Sequence, residues 1–375
     1  MIIGIPKETL KSEMRISLLP EEIRKLVSDG LQFHVESDAG LGAYISNELY
    51  IDAGAQIVPN AFADADLIIR INPPTETEID KLKEDSFLVS LINPFINHNL
   101  VKKLAARKIS TFCLELIPRS TYAQSMDVLS SQATVAGYRA VLNAASHMSK
   151  FFPMLMTPAG TIKPAQVLII GAGVAGLQAI ATAGRLGAKV EAFDVRPAAR
   201  EQVESLGAKF LYMDLDDSAQ TDSGYAIEMD DEFIRKEMEL LHDAAKRVDV
   251  IITTALIFGK KAPILIKDYM VNDMQNGSCI IDLAAENGGN CELTHPDTII
   301  IHNGVTIDGS LNLPSQVPYH ASQMLSKNIA KLLGEIIIKG KVLFDMENEI
   351  VMGCLLTHKG KITHEMTKKI IGESD

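Results

Sequence analysis

Three glycines and one aspartate have the spacing of a nucleotide-binding turn. Gly171, Gly173 and Gly176 stand in the order GxGxxG. In this pattern the first glycine permits a tight turn, the second lets a phosphate approach the backbone, and the third lets a helix pack closely on a sheet. Asp194 ends the next apolar segment, where a carboxylate can accept hydrogen bonds from both ribose hydroxyls. These residues predict a dinucleotide site that favours NAD(H) over NADP(H).

The segments around these residues are those that such a site needs. Val167–Ile170 has the pattern of a buried strand, an apolar helical run leads to Gly187, and Lys189–Phe193 has the pattern of a second strand. The free N–H groups at the start of such a helix attract phosphate. Strand, turn, helix, strand and acid in register are more specific than an isolated GxGxxG. The alternative is a glycine turn in an α/β domain that binds no ligand.

Further candidate contacts flank the fingerprint. Arg196 is a residue type that binds a 2′-phosphate, but the Asp194 carboxylate beside it should repel one. Thr254 ends another apolar segment, at the sheet edge where doubly wound folds bind ligands. The predicted cofactor-binding residues from these segments are Gly171, Gly173, Val174, Ala175, Gly176, Asp194, Val195, Arg196, Thr254, Ala255 and Leu256.

The composition excludes several classes of protein. The chain has 375 residues, 47% of them apolar, enough for two domains with sizeable cores. A net charge of −12 argues against a nucleic-acid surface, which needs a basic face. No signal peptide or membrane-spanning run is visible. The scattered cysteines form no CxxC, which indicates thiols in a reducing compartment, and no metal site is predicted. These cysteines are Cys113, Cys279, Cys291 and Cys354.

The order of apolar segments predicts an α/β fold. Strand and helix patterns alternate from Ile2–Ile5 onward, so the first third should be a doubly wound unit without a glycine fingerprint. We expect two Rossmann-like domains with a cleft between them. In the tail, Ser322–Ile338 has a helical pattern, and Val342–Asp345 with Ile350–Leu356 suggest a hairpin that returns to the first domain. The predicted domains are 1–127 with 311–375, and 128–310.

Three other segments connect these units. Leu129–Lys150 has helical spacing and is predicted to bridge the domains, and Phe151–Thr161 is predicted to be a linker with Pro and Gly. Asp214–Asp231 is rich in aspartate and is a poor core segment. The simplest interpretation of that acidic run is a disordered surface insertion.

A polar loop, defined here as Pro118–Ser131, precedes the bridging helix. It contains Arg119, Gln124, Asp127 and Ser130. A polar cluster that leads into a helix N-terminus between two α/β domains is a candidate ligand site. The alternative is that Asp127 or Ser130 only caps the helix, and spacing alone does not decide between the two.

Long motifs then indicate a family. They are PRSTYAQSMDVLSSQATVAGYRA, GAGVAGLQAIATAGRLGAKVEAFDVRP, EQVESLGAKF, GYAIEM, TTALIFGKKAP and IIDLAAENGGNC. With these motifs the chain strongly resembles the soluble NAD(H)-binding component of the proton-translocating nicotinamide nucleotide transhydrogenases. The resemblance covers nearly the whole chain. The wider superfamily includes alanine dehydrogenase and saccharopine-type enzymes.

The resemblance implies an activity and roles for the polar loop. Arg119 and Ser130 should hold the nicotinamide carboxamide or its ribose, and Asp127 should help to fix Arg119 and the loop. Gln124 should reach towards NADP(H) bound on the partner subunit. The implied reaction is direct hydride transfer between two nicotinamides, so catalysis is positioning and needs no side-chain acid or base.

The resemblance also implies partners and a mobile loop. In the family, the region of the acidic run closes over the nucleotide, and Tyr225 and Met229 match its motif, so Tyr225 joins the predicted cofactor contacts. The expected partners are the NADP(H)-binding domain of the beta subunit and membrane-spanning subunits, with the chain a homodimer on the cytoplasmic face of the inner membrane. Because the chain ends just past this component, it resembles the split-subunit bacterial arrangement. Phe258 and Lys261 replace family prolines, which puts the path of that loop in doubt.

Two rival functions have their own sequence signatures. Alanine dehydrogenases use a histidine in the stretch that resembles Leu88–Asn93 and a lysine in the stretch that resembles Arg70–Pro74, and neither is present here. Arg15 matches their substrate arginine, and Glu286 stands where they have an aspartate. Without the histidine, the proton-transfer group of an amino-acid dehydrogenase is missing. The other rival is a non-catalytic NAD(H) sensor, which predicts binding without hydride transfer.

Overall fold

The computed structural model describes residues 1–212, 231–257 and 261–372. Its contacts divide the chain into two compact units, Met1–Gln132 with Pro314–Asp375, and Ala133–Leu313. Each unit has its own sheet and its own hydrophobic cores. As limits of independently folding domains, the predicted boundaries 127/128 and 310/311 stay predictions.

The helices and strands follow in chain order. Unit 1 begins with β1 (Ile2–Ile5), α1 (Pro20–Ser28), β2 (Gln32–Glu36), α2 (Asn47–Asp52), β3 (Gln56–Val58), β4 (Leu67–Ile69), α3 (Glu76–Lys81), β5 (Phe87–Ser90), α4 (His98–Ala106) and β6 (Ser110–Cys113). Next come α5 (Val128–His147), β7 (Leu155–Thr157), β8 (Gly160–Ile162), β9 (Gln166–Ile170), α6 (Val174–Arg185), β10 (Lys189–Phe193), α7 (Ala199–Ser205), β11 (Lys209–Phe210), α8 (Asp231–Ala245), β12 (Val250–Thr253), α9 (Asp268–Asn272), β13 (Cys279–Asp282), β14 (Ile299–His302) and β15 (Val305–Asp308). The tail contains α10 (Pro318–Ile336), β16 (Ile337–Ile338), β17 (Lys341–Val342), α11 (Glu349–Cys354), β18 (Leu355–His358), β19 (Lys361–Ile362) and α12 (Glu365–Ile371).

Unit 1 is built on an eight-stranded sheet in the order β19-β18-β6-β5-β4-β1-β2-β3. Strands β1 to β6 pair in parallel, as the alternation of patterns predicts. Along β4, Leu67 and Ile69 face one core while Ile68 faces another. Both faces of the sheet are therefore covered, which is the doubly wound arrangement.

The tail belongs to unit 1, as predicted. Strand β18 pairs antiparallel with β6, and α10 buries Leu325, Ile329 and Leu332 in the core of this unit. The predicted hairpin of Val342–Asp345 with Ile350–Leu356 is wrong, because most of the second segment is α11. The Asn348 side chain starts that helix by accepting hydrogen bonds from two first-turn N–H groups.

Unit 2 is built on a seven-stranded sheet in the order β11-β10-β9-β12-β13-β15-β14. All neighbours are parallel except β14 with β15. Strand β9 lies between β10 and β12, so the chain winds outward from β9 in both directions. The carboxyl ends of β9 and β12 thus form the switch point where doubly wound sheets bind ligands.

Other local predictions need correction. The predicted linker Phe151–Thr161 contains most of a two-stranded hairpin, β7 with β8. The predicted strand Lys209–Met213 is limited to β11, and α8 was absent from the predicted elements. Almost all of the acidic run lies outside the described residues. Within the described ranges, no helix is long and apolar enough to cross a bilayer. All four cysteines are buried free thiols.

Candidate functional site

The glycine turn joins the end of β9 to the start of α6. Gly171 has a φ of +95°, which disfavours any residue with a side chain, and its N–H donates to the Phe193 carbonyl at 2.8 Å. A Cβ on Gly176 would overlap the Gly171 carbonyl oxygen. The protein's own packing therefore requires glycine at both positions.

Gly173 is different from the other two fingerprint glycines. Its φ of −76° is open to any residue, and a Cβ built there meets no atom within 4 Å. Nothing in the fold of the described residues requires glycine at this position. The open space in front of its backbone is what the pyrophosphate of a dinucleotide needs.

The start of α6 can bind an anion. Gly173 is the N-cap residue and has no side chain that could cap the first N–H groups of the helix. The N–H groups of Val174, Ala175 and Gly176 belong to this first turn, where unsatisfied donors and the helix dipole favour negative charge. The residues present therefore fit a bound pyrophosphate.

Asp194 lies just beyond the carboxyl end of β10 and is hydrogen-bonded on both oxygens. The N–H of Ala172 donates to Oδ2 at 2.7 Å, and the N–H of Arg196 donates to Oδ1 at 2.8 Å. The Arg196 guanidinium adds a side-on pair, Nε to Oδ1 and Nη2 to Oδ2, both at 2.9 Å. Burial by itself would raise the pKa of Asp194, but the bonds from Arg196 and Ala172 hold it below its usual value.

A buried network fixes the turn after β12. The Thr254 N–H donates to the Ile170 carbonyl at 2.8 Å, and its hydroxyl donates to the Gly171 carbonyl at 3.0 Å. The Ala255 N–H donates to Asn290 Oδ1 at 3.0 Å, and Asn290 Nδ2 donates back to the Ala255 carbonyl at 2.9 Å. The predicted contacts Thr254 and Ala255 are thus held against the glycine turn.

Asp282 supports this network and is absent from the predicted site residues, as is Asn290. Asp282 is 1% exposed and accepts five hydrogen bonds, from Thr253 Oγ1, Ala284 N, Asn290 N, Cys291 N and Thr294 Oγ1. It ends the fully buried strand β13. A carboxylate that directly follows an apolar strand was the available signal.

Three predicted contacts are exposed apolar side chains near the carboxyl ends of the unit 2 strands. Val174 is 42% exposed, Val195 40% and Leu256 54%. Apolar surface at such an edge suits the faces of an adenine ring. Tyr225 and Phe258 lie outside the described residues, so the contact predicted for Tyr225 stays a prediction.

The polar loop, in unit 1, holds two side chains in reserve. Arg119 and Gln124 are exposed, and among the described residues neither side chain has a hydrogen bond or ion pair. Asp127 accepts from the Ser130 N–H at 2.9 Å and from its hydroxyl at 2.6 Å, so it caps α5. It makes no hydrogen bond to Arg119 in the described structure, and the role expected for that pair stays a prediction.

The C-terminal segment anchors the polar loop. Three hydrogen bonds link them: Ser120 Oγ to Glu349 Oε1 at 2.7 Å, Tyr122 Oη to Glu335 Oε1 at 2.6 Å, and Asn328 Nδ2 to the Ser125 carbonyl at 2.8 Å. The loop backbone is therefore held by α10 and α11, while Arg119 and Gln124 remain available.

Arg15, the match to a substrate arginine, is committed elsewhere in unit 1. Glu13 accepts its Nε at 2.7 Å and its Nη2 at 2.6 Å, and Gln132 Oε1 accepts its Nη1 at 2.9 Å. Burial would raise the pKa of Glu13, but the hydrogen bonds and charge of Arg15 lower it to about 2. A substrate carboxylate would have to displace this buried partner.

The fold and this site define a doubly wound α/β protein that binds a dinucleotide. The chain belongs to the alanine dehydrogenase/PNT family: residues 4–136 match the N-terminal domain of that family and residues 140–365 match its C-terminal domain. NAD(H) is its cofactor, and it is of the oxidoreductase type.

Individual relatives place it within the family. It is 44% identical to an NAD(P) transhydrogenase alpha subunit of Rhodospirillum rubrum, over 97% of this chain and 98% of that protein. A transhydrogenase structure from Sinorhizobium meliloti superposes with a TM-score of 0.86 at 38% identity, over 98% of this chain and 100% of that one. An L-alanine dehydrogenase structure gives a TM-score of 0.84 at 25% identity, over 100% and 99%. The similarity to transhydrogenase alpha subunits supports a component of that type.

Proposed function

We propose that this chain is the NAD(H)-binding component of a proton-translocating transhydrogenase. In this proposal it transfers a hydride directly between NADH and NADP⁺ bound on a partner subunit, and membrane subunits couple the transfer to proton movement. The observation that carries the proposal is the polar loop, whose Arg119 and Gln124 side chains are exposed and uncommitted on an anchored backbone. The 44% identity to a transhydrogenase subunit over nearly the full chain supports it.

The residues of this chain act by positioning. NAD(H), when bound, supplies or accepts the hydride. The fingerprint glycines and the start of α6 hold its pyrophosphate, and Asp194 accepts from its ribose. Arg119 and Ser130 orient the nicotinamide, Asp127 fixes Ser130, and Gln124 reaches towards the partner's nucleotide. Holding the two reacting carbons about 3–3.5 Å apart is the catalytic contribution, and no residue needs to move a proton.

Two observations argue against an alanine dehydrogenase activity. The stretch Leu88–Asn93 contains no histidine, so no general acid or base is present where those enzymes have one. The fork of Arg15 is filled by buried Glu13, so a substrate carboxylate finds no free cation there. The fold likeness to L-alanine dehydrogenase therefore reflects family membership.

We also propose that the chain acts as a homodimer at the cytoplasmic face of the inner membrane, bound to the NADP(H)-binding domain of a beta subunit and to membrane-spanning subunits. The hairpin of β7 and β8 supports self-association. An isolated two-stranded hairpin is marginally stable in water, and this one carries exposed Met156, at 78%, and Ile162, at 41%. A second subunit would cover this apolar surface.

Reconstitution tests the proposed activity. The purified chain, mixed with the NADP(H)-binding component of a transhydrogenase, should transfer hydride from NADPH to an acetylpyridine analogue of NAD, followed by absorbance. Each component alone is the control and should give no transfer. NADH binding without transfer to any cognate partner would instead support a sensor. Alanine-dependent NADH formation by the chain alone would establish a dehydrogenase.

A further inference from the structure

All acceptor positions of the Asp194 carboxylate are filled by the protein itself. A carboxylate has about four lone-pair positions, two on each oxygen. Here each oxygen accepts one backbone N–H, from Arg196 on Oδ1 and from Ala172 on Oδ2. Each also accepts one guanidinium N–H of Arg196. No position remains for a ribose.

The guanidinium bonds match what a ribose diol offers. Two neighbouring hydroxyls present two parallel donors, and the side-on fork of Arg196 presents two parallel donors to the same two oxygens. The backbone bonds are part of the turn and can persist when a ligand binds. Only the two guanidinium bonds have to leave, and they are the two that a diol would replace one for one.

We propose that Arg196 is an internal competitor for the ribose of NAD(H), which occupies Asp194 in the free protein and must swing away when the nucleotide binds. This inference rests on the role proposed above for Asp194. It makes Arg196 a determinant of affinity: it weakens NAD(H) binding and so favours release of the nucleotide after each hydride transfer.

The exposure of the pair shows that this exchange is feasible. The Arg196 side chain is 54% exposed, whereas Asp194 is 6% exposed, so the arginine can move into solvent while the carboxylate stays fixed. An ion pair with one partner at the surface contributes little to stability. Removal of the competitor should therefore tighten NADH binding by about threefold to tenfold.

The experiment measures dissociation constants for NADH by fluorescence titration of the full-length chain. Arg196→Ala should tighten binding. Arg196→Lys, which keeps the charge but loses the fork, should lie between the wild type and Arg196→Ala. Arg200→Ala is the matched control, because Arg200 pairs with Glu204 at 2.8 Å on α7, and its loss removes the same charge without touching Asp194. It should leave the affinity unchanged.

Competition with ADP and 2′-deoxy-ADP tests the diol directly. Arg196→Ala should improve ADP binding more than 2′-deoxy-ADP binding, because the deoxy compound lacks one of the two competing hydroxyls. Weaker or unchanged NADH binding in Arg196→Ala, or equal gains for both competitors, would overturn the inference.

Asp194→Asn separates this inference from the assignment on which it rests. If Asp194→Asn weakens NADH binding and Arg196→Ala does not tighten it, Asp194 contacts the ribose but Arg196 does not compete. If Asp194→Asn leaves NADH affinity unchanged, the ribose assignment itself is wrong and the competitor role falls with it.

Discussion

The glycine turn and the polar loop solve opposite problems with similar numbers of polar groups. In the glycine turn nearly every polar group is committed: Thr254 bonds the Gly171 carbonyl, Asn290 bonds Ala255, and Asp282 accepts five hydrogen bonds. In the polar loop the backbone is anchored, but Arg119 and Gln124 have no partners among the described residues. One region is finished before a ligand arrives, and the other is not.

The difference follows from the tasks proposed for each region. A site that holds a pyrophosphate and ribose gains affinity when its donors are fixed in advance, since less ordering is needed on binding. A loop that aligns two nicotinamides must form its decisive contacts only when both are present, because contacts made equally in the ground state do not accelerate the reaction. Changes in the glycine turn should therefore affect folding or binding, and changes in the polar loop should affect transfer.

The largest effect is expected at Gly176. In Gly176→Ala the new methyl group would overlap the Gly171 carbonyl oxygen, and backbone on both sides leaves no side chain to move aside. We expect a loss of several kcal/mol in the free energy of unfolding, measured by chemical denaturation of the whole chain. Gly173→Ala is the matched control: with open space around its Cβ it should keep wild-type stability but lose NADH affinity. Equal stability of the two variants would show that the turn is less rigid than its packing indicates.

The next largest effect is expected at Asp282. Asp282→Asn keeps the shape of the side chain but puts an amide NH₂, which can only donate, in place of Oδ2, which accepts from Asn290 N, Cys291 N and Thr294 Oγ1. Buried donors left without acceptors should cost roughly 2–4 kcal/mol, seen as a lower denaturation midpoint. NADH binding should weaken as well, because Asn290 holds Ala255. Asp268→Asn, at an exposed site on α9, should leave both quantities unchanged.

How much of this could be read from the sequence depends on how local each feature is. The glycine turn was predictable because GxGxxG, the flanking apolar runs and Asp194 lie in one continuous stretch. The helix α11 was not, since six residues such as Glu349–Cys354 give too little pattern to separate helix from strand, although Asn348 offered a capping signal.

Side-chain commitments were also beyond the sequence. The Arg196 fork on Asp194 and the Glu13 fork on Arg15 join residues only two positions apart, but whether such neighbours meet depends on backbone angles that composition does not set. The anchors of the polar loop join residues more than two hundred positions apart, as in Asn328 with Ser125. Only the fold brings them together.

Gln124 tests the uncommitted side of the comparison. Gln124→Asn shortens an exposed side chain without removing any hydrogen bond in the described structure, so stability and NADH affinity should stay near wild type. Hydride transfer in the reconstituted system should slow by about tenfold, since about 1.4 kcal/mol of transition-state contact gives that factor. Stopped-flow single-turnover transfer and NADH titration measure the two quantities separately. If NADH affinity fell as much as the rate did, Gln124 would belong with the glycine turn and its assignment to the partner's nucleotide would be wrong.

The smallest effect is expected at Tyr122, which links the polar loop to the tail. Tyr122→Phe removes the hydrogen bond to Glu335 and nothing else, and because Tyr122 is exposed the loss in the free energy of unfolding should be below about 1 kcal/mol. If the anchors serve to aim Arg119 and Gln124, transfer should still slow by about twofold to threefold while NADH affinity holds. Glu335→Gln, which can still accept the tyrosine hydroxyl, should keep most of the wild-type rate, and Tyr319→Phe is a control at a second exposed tyrosine in α10. A wild-type transfer rate in Tyr122→Phe would mean that the loop is aimed by its remaining anchors at Glu349 and Asn328, and that this tyrosine only covers the surface.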